Sequence, residues 1–155
     1  MRTPRVAVKA LIIRDRQVLM NRYIDPDGRE LFELPGGGQD HGEDQPSALI
    51  RECREEIGAL VEVHQMALLF EFMADRSVRD GTPIDPFHQV NLAYWCGLAE
   101  GEEPGEGTDP DPRQAGTAWL PLDRLAEFDV QPPALARWLE SDPSDRPLSL
   151  GVQRA

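Results

Sequence analysis

The stretch IRECREEIG places three glutamates, Glu52, Glu55 and Glu56, within five positions. On a helix, residues three and four apart are neighbours, so these like charges repel by about 0.2–0.5 kcal/mol per pair. A cation held between them would offset that repulsion. Clustered carboxylates are hard oxygen donors of the kind that Mg²⁺ or Mn²⁺ prefers, and such ions are usually shared with substrate phosphates. The other reading is a solvated acidic helix surface, the ordinary fate of a charge run. Both readings require a helix here, and its neighbours in the chain decide between them.

The helix is predicted over residues 46–57. Asp44 is a suitable N-cap, Pro46 fits the first turn and Gly58 supplies the stop. At about 100° per residue, Leu49, Ile50, Cys53 and Ile57 form one apolar stripe, while the three glutamates fall in a separate arc about 100° wide. Ahead of the helix, LFELPGGGQDHGEDQP reads as a short apolar piece running into a glycine loop. RVAVKALIIRD and QVLMNRY read as a hairpin broken at Asp15 and Arg16. LVEVHQMALLFEFM and HQVNLAYWCGL read as longer strands, with a turn signal at Asp80-Gly81 between them. AEGEEPGEGTDPDPRQAG is a Gly/Pro/acid-rich loop, TAWLPLDRLAEF a last strand with a helical turn, and PPALARWLE a C-terminal helix. Residues 1–142 form a single domain in this reading, and 143–155 a poorly packed tail.

Composition narrows the function. The 155 residues, 40% hydrophobic and 28% charged, suit one globular domain, and no apolar run approaches the roughly 20 residues that span a bilayer. The N-terminal residues read as a strand and not as a signal peptide. Cys53 and Cys96 stand far apart without a C-x-x-C spacing, which disfavours a disulfide scaffold or a zinc site and fits the cytoplasm. The net charge of −12 argues against a nucleic-acid polymer as partner, because that binding needs cationic patches. A small phosphorylated ligand stays compatible, since a bound divalent cation inverts the local charge.

From Gly37 the spacing is five residues, Glu43, seven residues, then Arg51, Glu52, Cys53, Arg54, Glu55, Glu56, Ile57, Gly58 and Ala59. This resembles the Nudix hydrolase box, G-x5-E-x7-R-E-U-x-E-E-x-G-U with U a bulky aliphatic residue. Nine positions over 23 residues are specified; the departures, Cys53 and the small Ala59 at the two U positions, touch packing more than chemistry. Outside the box the likeness is weaker and extends over about residues 4 to 140. The resemblance implies an α/β (α+β) fold, a mixed β-sheet between helices with a catalytic loop-helix-loop. It implies that Glu52, Glu55 and Glu56 bind Mg²⁺ or Mn²⁺, with the carbonyl of Gly36 or Gly37 as a further ligand. It also implies that Arg51 orients a glutamate, that Glu43 steadies the loop, and that a homodimer is among the available assemblies.

The activity so implied is metal-dependent hydrolysis of a diphosphate linkage in a nucleoside diphosphate joined to another moiety, with a non-catalytic nucleotide sensor as the alternative. Residues 15 to 17 past Ala59 are Ala74, Asp75 and Arg76, not the proline or tyrosine that would mark ADP-ribose or diadenosine polyphosphates in the family. Nucleoside triphosphates, oxidised triphosphates, ADP-ribose and nucleotide sugars therefore remain open. Beyond the box, Arg22 and Lys9 are candidate phosphate-binding residues, against surface or snorkelling roles. An acid among Glu100, Glu102, Glu103, Glu106, Asp109 and Asp111 could reach a metal, against a merely solvated loop. Phe70, Phe72, Trp95 and Trp119 could stack on a base, against a place in the core. His41, His64 and His88 show no ligand spacing with one another.

Overall fold

A computed structural model describes residues 2–74 and 86–155. The Asp80-Gly81 turn and the marker positions Asp75 and Arg76 lie outside the described residues. β1 (Arg5–Arg14) and β2 (Gln17–Ile24) form the expected hairpin, turning through Asp15 and Arg16, whose φ values of 51° and 61° are the left-handed pair that matches strand twist. β3 (Glu30–Glu33) returns along β2, and β4 (Gly36–Gly38) lies antiparallel to β1 with Lys9 opposite Gly36. The glycine run expected as loop is thus a three-residue strand. Then come α1 (Gln45–Ile57), β5 (Val61–Ala74), β6 (Phe87–Leu98), β7 (Gln114–Pro121), a short 3-10 segment (Leu122–Glu127) and α2 (Pro133–Glu140).

The strands join in one mixed sheet. β1 runs parallel to β6 and antiparallel to β4, β5 runs antiparallel to β6, and the far end of β1 bends into a second arm made of β3, β2 and β7. Side chains alternate faces along a strand. Val8, Ala10 and Ile12 accordingly pack under α1 with Leu49, Cys53 and Ile57, whereas Leu11 joins Met20, Leu68, Leu135 and Trp138 on the side of α2. The apolar stripe read for α1 is the buried one. The segment 143–155 departs from the expected loose tail: it contains β8 (Ser149–Arg154), which pairs in parallel with β5. Its polar, glycine-containing sequence hides the strand because it contributes mainly backbone, with Leu150 packed against the core; every residue of β8 is at least partly exposed.

Helix α1 carries the carboxylates, so its ends matter. Asp44 caps the first turn by accepting from the Ser47 N–H at 2.8 Å, and Gly58, at φ 63°, ends the last. A helix leaves its final four carbonyls unpaired. Here the acid-rich loop supplies the donors: Gly105 N–H to Ile57 O (2.7 Å), Asp109 N–H to Glu55 O (3.0 Å) and Thr108 N–H to Arg54 O (3.3 Å). Gln114 Nε2–H completes the set by donating to Glu56 O at 3.0 Å. The loop lies so close that a Cβ on Gly107 would overlap the Glu55 carbonyl, while one on Gly105 would meet nothing within 4 Å. Gly107→Ala is therefore expected to lift the loop off the helix and cost about 2 kcal/mol in urea denaturation, with Gly105→Ala within about 0.5 kcal/mol of the parent. Equal stabilities for the two variants would refute this account of the loop.

Candidate active site

The guanidinium of Arg51 is the centre of the arrangement. It grips Glu43 with both forks, Nη2 to Oε1 at 2.6 Å and Nε to Oε2 at 3.2 Å, and Nη2 also donates to the Gly38 carbonyl at 2.9 Å. Nη1 donates to Glu52 Oε1 at 2.9 Å and lies 3.3–3.4 Å from the carboxylate of Glu55. One cation thus ties loop to helix and neutralises charge on both. Its hydrogen bonds hold the Glu43 carboxyl below the usual range, assisted by the Asp40 N–H, which donates to Glu43 at 2.8 Å. The Arg51 pKa is correspondingly raised, chiefly by Glu43.

Glu56 is held differently. Its Oε2 accepts from Asn21 Nδ2 at 2.7 Å and from the Gly36 N–H at 2.9 Å. Asn21, fully buried on β2, also accepts from Gln114 Nε2 at 3.2 Å, so a line of amides fixes the carboxylate from behind. Burial pushes the Glu56 carboxyl up to about 7, against the pull of Lys9 and of these two donors. Burial raises Glu52 as well, opposed by Arg51. Tyr23, near Glu56 and Asn21, is raised by burial, so its phenol stays protonated.

Glu52 and Glu56 face a cavity of ≈ 570 Å³ that Lys9, Arg5, Gly36 and Gly37 also line. At Gly37 a Cβ would come within 2.5 Å of Glu52 Oε2; the absent side chain is what lets carboxylate and backbone share one wall. Carboxylate oxygens beside a glycine backbone form a hard-donor set that fits Mg²⁺ or Mn²⁺. Among the described residues, however, no three acidic, His or Cys side chains gather at metal-ligand spacing. Glu55 turns to Arg51 and does not line the cavity, so the expected triad is present as two carboxylates facing the cavity and one beside it. Mutual repulsion and the nearby guanidinium account for the spread.

The other expected residues divide. Lys9 lines the cavity. Arg22 does not: it pairs with Glu30 at 2.7 Å and reaches the Ala115 carbonyl. Of the acid-rich loop, Asp111 lines the main cavity, Glu106 lines a separate recess beside Glu56, and Glu103 is spent on Arg14 at 2.7 Å. Phe70 and Phe72 line an adjoining chamber, while Trp95 packs on Trp138 and Trp119 lies under the Arg14 guanidinium. None of His41, His64 and His88 lines the cavity. Sequence reasoning missed Asn21, Gln114 and Arg5. Asn21 had a visible signal, an amide in the middle of the apolar run VLMNRY.

The model of the NUDIX domain matches residues 3–140, and the chain belongs to the Nudix family. It is similar, at 27% identity over 124 residues (79% of this chain, 53% of the relative), to the "Putative ADP-ribose pyrophosphatase YjhB" of Bacillus subtilis. It is 27% identical over 99 residues (64% of this chain, 54% of the relative) to an ADP-ribose pyrophosphatase of Methanocaldococcus jannaschii. The chain thus spans about half the length of these curated relatives. In fold it resembles a NUDIX hydrolase from Nitrosomonas europaea, with TM-score 0.70 at 18% identity, covering 96% of this chain and 94% of that one. It also resembles a MutT NUDIX hydrolase from Burkholderia pseudomallei, with TM-score 0.62 at 27% identity, covering 90% and 98%. The mixed sheet between helices expected from the box is the fold found.

The position of Glu56 has a thermodynamic consequence. Its folded value, about 7, lies above the ordinary 4.5, so the folded chain keeps this proton when the unfolded chain has lost it. That contribution is full below about pH 4.5 and is lost as pH rises toward 7. In chelator, Glu56→Gln should gain on the order of 1–3 kcal/mol over the parent at pH 8 and little at pH 4.5. Melting curves of both proteins at the two pH values test this, and a parent that matches the variant at pH 8 would contradict it.

Proposed function

We propose that this chain hydrolyses a diphosphate linkage in a nucleoside diphosphate joined to another moiety, with Mg²⁺ or Mn²⁺ as cofactor. The observation that carries the proposal is the cavity in which Glu52, Glu56 and the Gly36–Gly37 backbone stand together with the cations Lys9 and Arg5. Family membership supports the reaction class, and the names of the two curated relatives put ADP-ribose first among substrates.

Glu52 and Glu56 would hold the ion, with Glu55 as the third carboxylate and the Gly36 or Gly37 carbonyl as a backbone ligand. When bound, the ion neutralises phosphate oxygens and acidifies a water. The chain's own residues do the positioning. Arg51 keeps Glu52 and Glu55 oriented, Asn21 and the Gly36 N–H fix one oxygen of Glu56, and Lys9 and Arg5 in the cavity lining offset phosphate charge. The carboxylates and Arg51 stand on α1, and β1, β2 and β4 supply Arg5, Lys9, Asn21 and Gly36.

The test is phosphate and nucleotide release from ADP-ribose, nucleoside triphosphates, oxidised triphosphates and nucleotide sugars, with Mg²⁺, with Mn²⁺ and with chelator. Cleavage of at least one of them should depend on the metal, and Glu52→Gln or Glu56→Gln should each lower kcat by about 100-fold or more in a protein that still melts cooperatively. Nucleotide binding without turnover across the panel would favour a sensor instead. Arg22→Ala should leave KM unchanged, since that side chain is held by Glu30.

A further inference from the structure

β7 falls out of step with β2 where the two strands reach the site. Asn21 stands opposite Thr117 and Tyr23 opposite Gln114, so Arg22 faces both Ala115 and Gly116 across a β-bulge, with Gly116 at φ 92°. Without the extra residue Ala115 would stand opposite Tyr23, and Gln114 would turn to the other face of the sheet. The bulge therefore puts the Gln114 side chain on the face of Asn21. There its Nε2 donates twice, to the Glu56 main-chain carbonyl at 3.0 Å and to Asn21 Oδ1 at 3.2 Å. Its Oε1 receives nothing: among the described residues it is the one buried side-chain oxygen or nitrogen without a hydrogen-bond partner.

A buried acceptor without a donor destabilises a fold, and in a native structure it asks for a physical reason. Here the reason is a chain of forced choices. A main-chain carbonyl can only accept, so the end of α1 dictates that Gln114 shows it nitrogen, and Oε1 must point away. The same NH₂ group dictates that Asn21 shows Gln114 its oxygen, because a second NH₂ group there would set donor against donor. Asn21 is fully buried, so its orientation is decided by these neighbours. It is left with Nδ2 toward the Glu56 carboxylate, 2.7 Å from Oε2. Turned the other way, it would set oxygen against oxygen.

We infer that Gln114 is a positioning residue: oriented by the last turn of α1, it locks the Asn21 amide with its N–H toward Glu56 and so fixes the direction in which that carboxylate is offered to a cation. The unpaired Oε1 is the consequence of that polarity. The inference rests on the reading above only in taking Glu56 as a ligand of the ion; the orientation of the amides does not require one.

Mn²⁺ alone is titrated into the full chain, without substrate, and the free ion is followed by its EPR signal. Gln114→Leu should weaken Mn²⁺ about tenfold, as loss of an outer partner of a metal ligand does. In the Asn21→Leu background the same substitution should change nothing further, because Gln114 acts through Asn21. An equal loss in both backgrounds would make Gln114 a tie for the helix end only, and an unchanged affinity would leave it no part in the ion site; either overturns the inference. The orientation itself is read without metal. Asn21 Nδ2 and the Gly36 N–H converge on one oxygen of Glu56, so a nuclear Overhauser contact between these protons is expected in the ¹⁵N-labelled chain, weakened by Gln114→Leu. Its absence from the unsubstituted chain, or its survival unchanged in the variant, overturns the inference. If Gln114→Leu does not fold, Gln114→Met, of similar length and without a donor, replaces it, and the contact in the unsubstituted chain still decides. Failure of Mn²⁺ to bind the unsubstituted chain would remove the diphosphate reading and leave the decision to that contact; binding that ignores Gln114 would keep the reading and remove the inference.

Discussion

The site depends on one half-buried cation. The guanidinium of Arg51 hydrogen-bonds Glu43, Glu52, Glu55 and the Gly38 carbonyl. Carboxylates placed on one helical arc raise each other's energy, and partial burial adds the loss of water. A planar guanidinium with five N–H donors can serve several acceptors at once in fixed directions, which an ammonium cannot. The glycine strand and the helix start are therefore positioned by the same group that makes the acidic face tolerable.

Around that cation the sheet and helix divide the work. Glu52 is governed by Arg51, whereas Glu56 has no contact with it and is governed by strand residues: Asn21 from β2 and the Gly36 N–H from β4. Burial raises the proton affinity of both carboxylates, and it is opposed at Glu52 mainly by Arg51 and at Glu56 by Lys9 together with these two neutral donors. The strands can do this because β1 is held on both sides by β4 and β6, while its far end continues into β2.

What could be read from the sequence was whatever is encoded locally. The cap at Asp44, the stop at Gly58, the apolar stripe through Leu49, Cys53 and Ile57, and the spacing from Gly37 to Ala59 are all short-range, and all appear in the fold. Asn21 and Gln114 stand 93 positions apart and meet only because β2 pairs with β7, so nothing in their immediate neighbours marks them as partners of Glu56. Arg22 shows the converse case: its type suggested a phosphate, and its pairing with Glu30, from the strand beside it, was not visible from its neighbours in the chain. β8 escaped notice because a strand that contributes mainly main-chain hydrogen bonds needs no hydrophobic alternation.

The loop over the end of α1 contributes through its main chain, with N–H groups from Gly105, Thr108 and Asp109. Its acidic side chains are free of that duty, and some of them oppose it, since negative charge beside a helix C-terminus is electrostatically unfavourable. The loop's path over the helix is fixed by the room left at position 107, so the exposed Glu100 and Asp109 are a tunable surface charge that can change without moving the helix end, unlike Asp111 on the cavity, Glu106 beside Glu56 and Glu103 on Arg14.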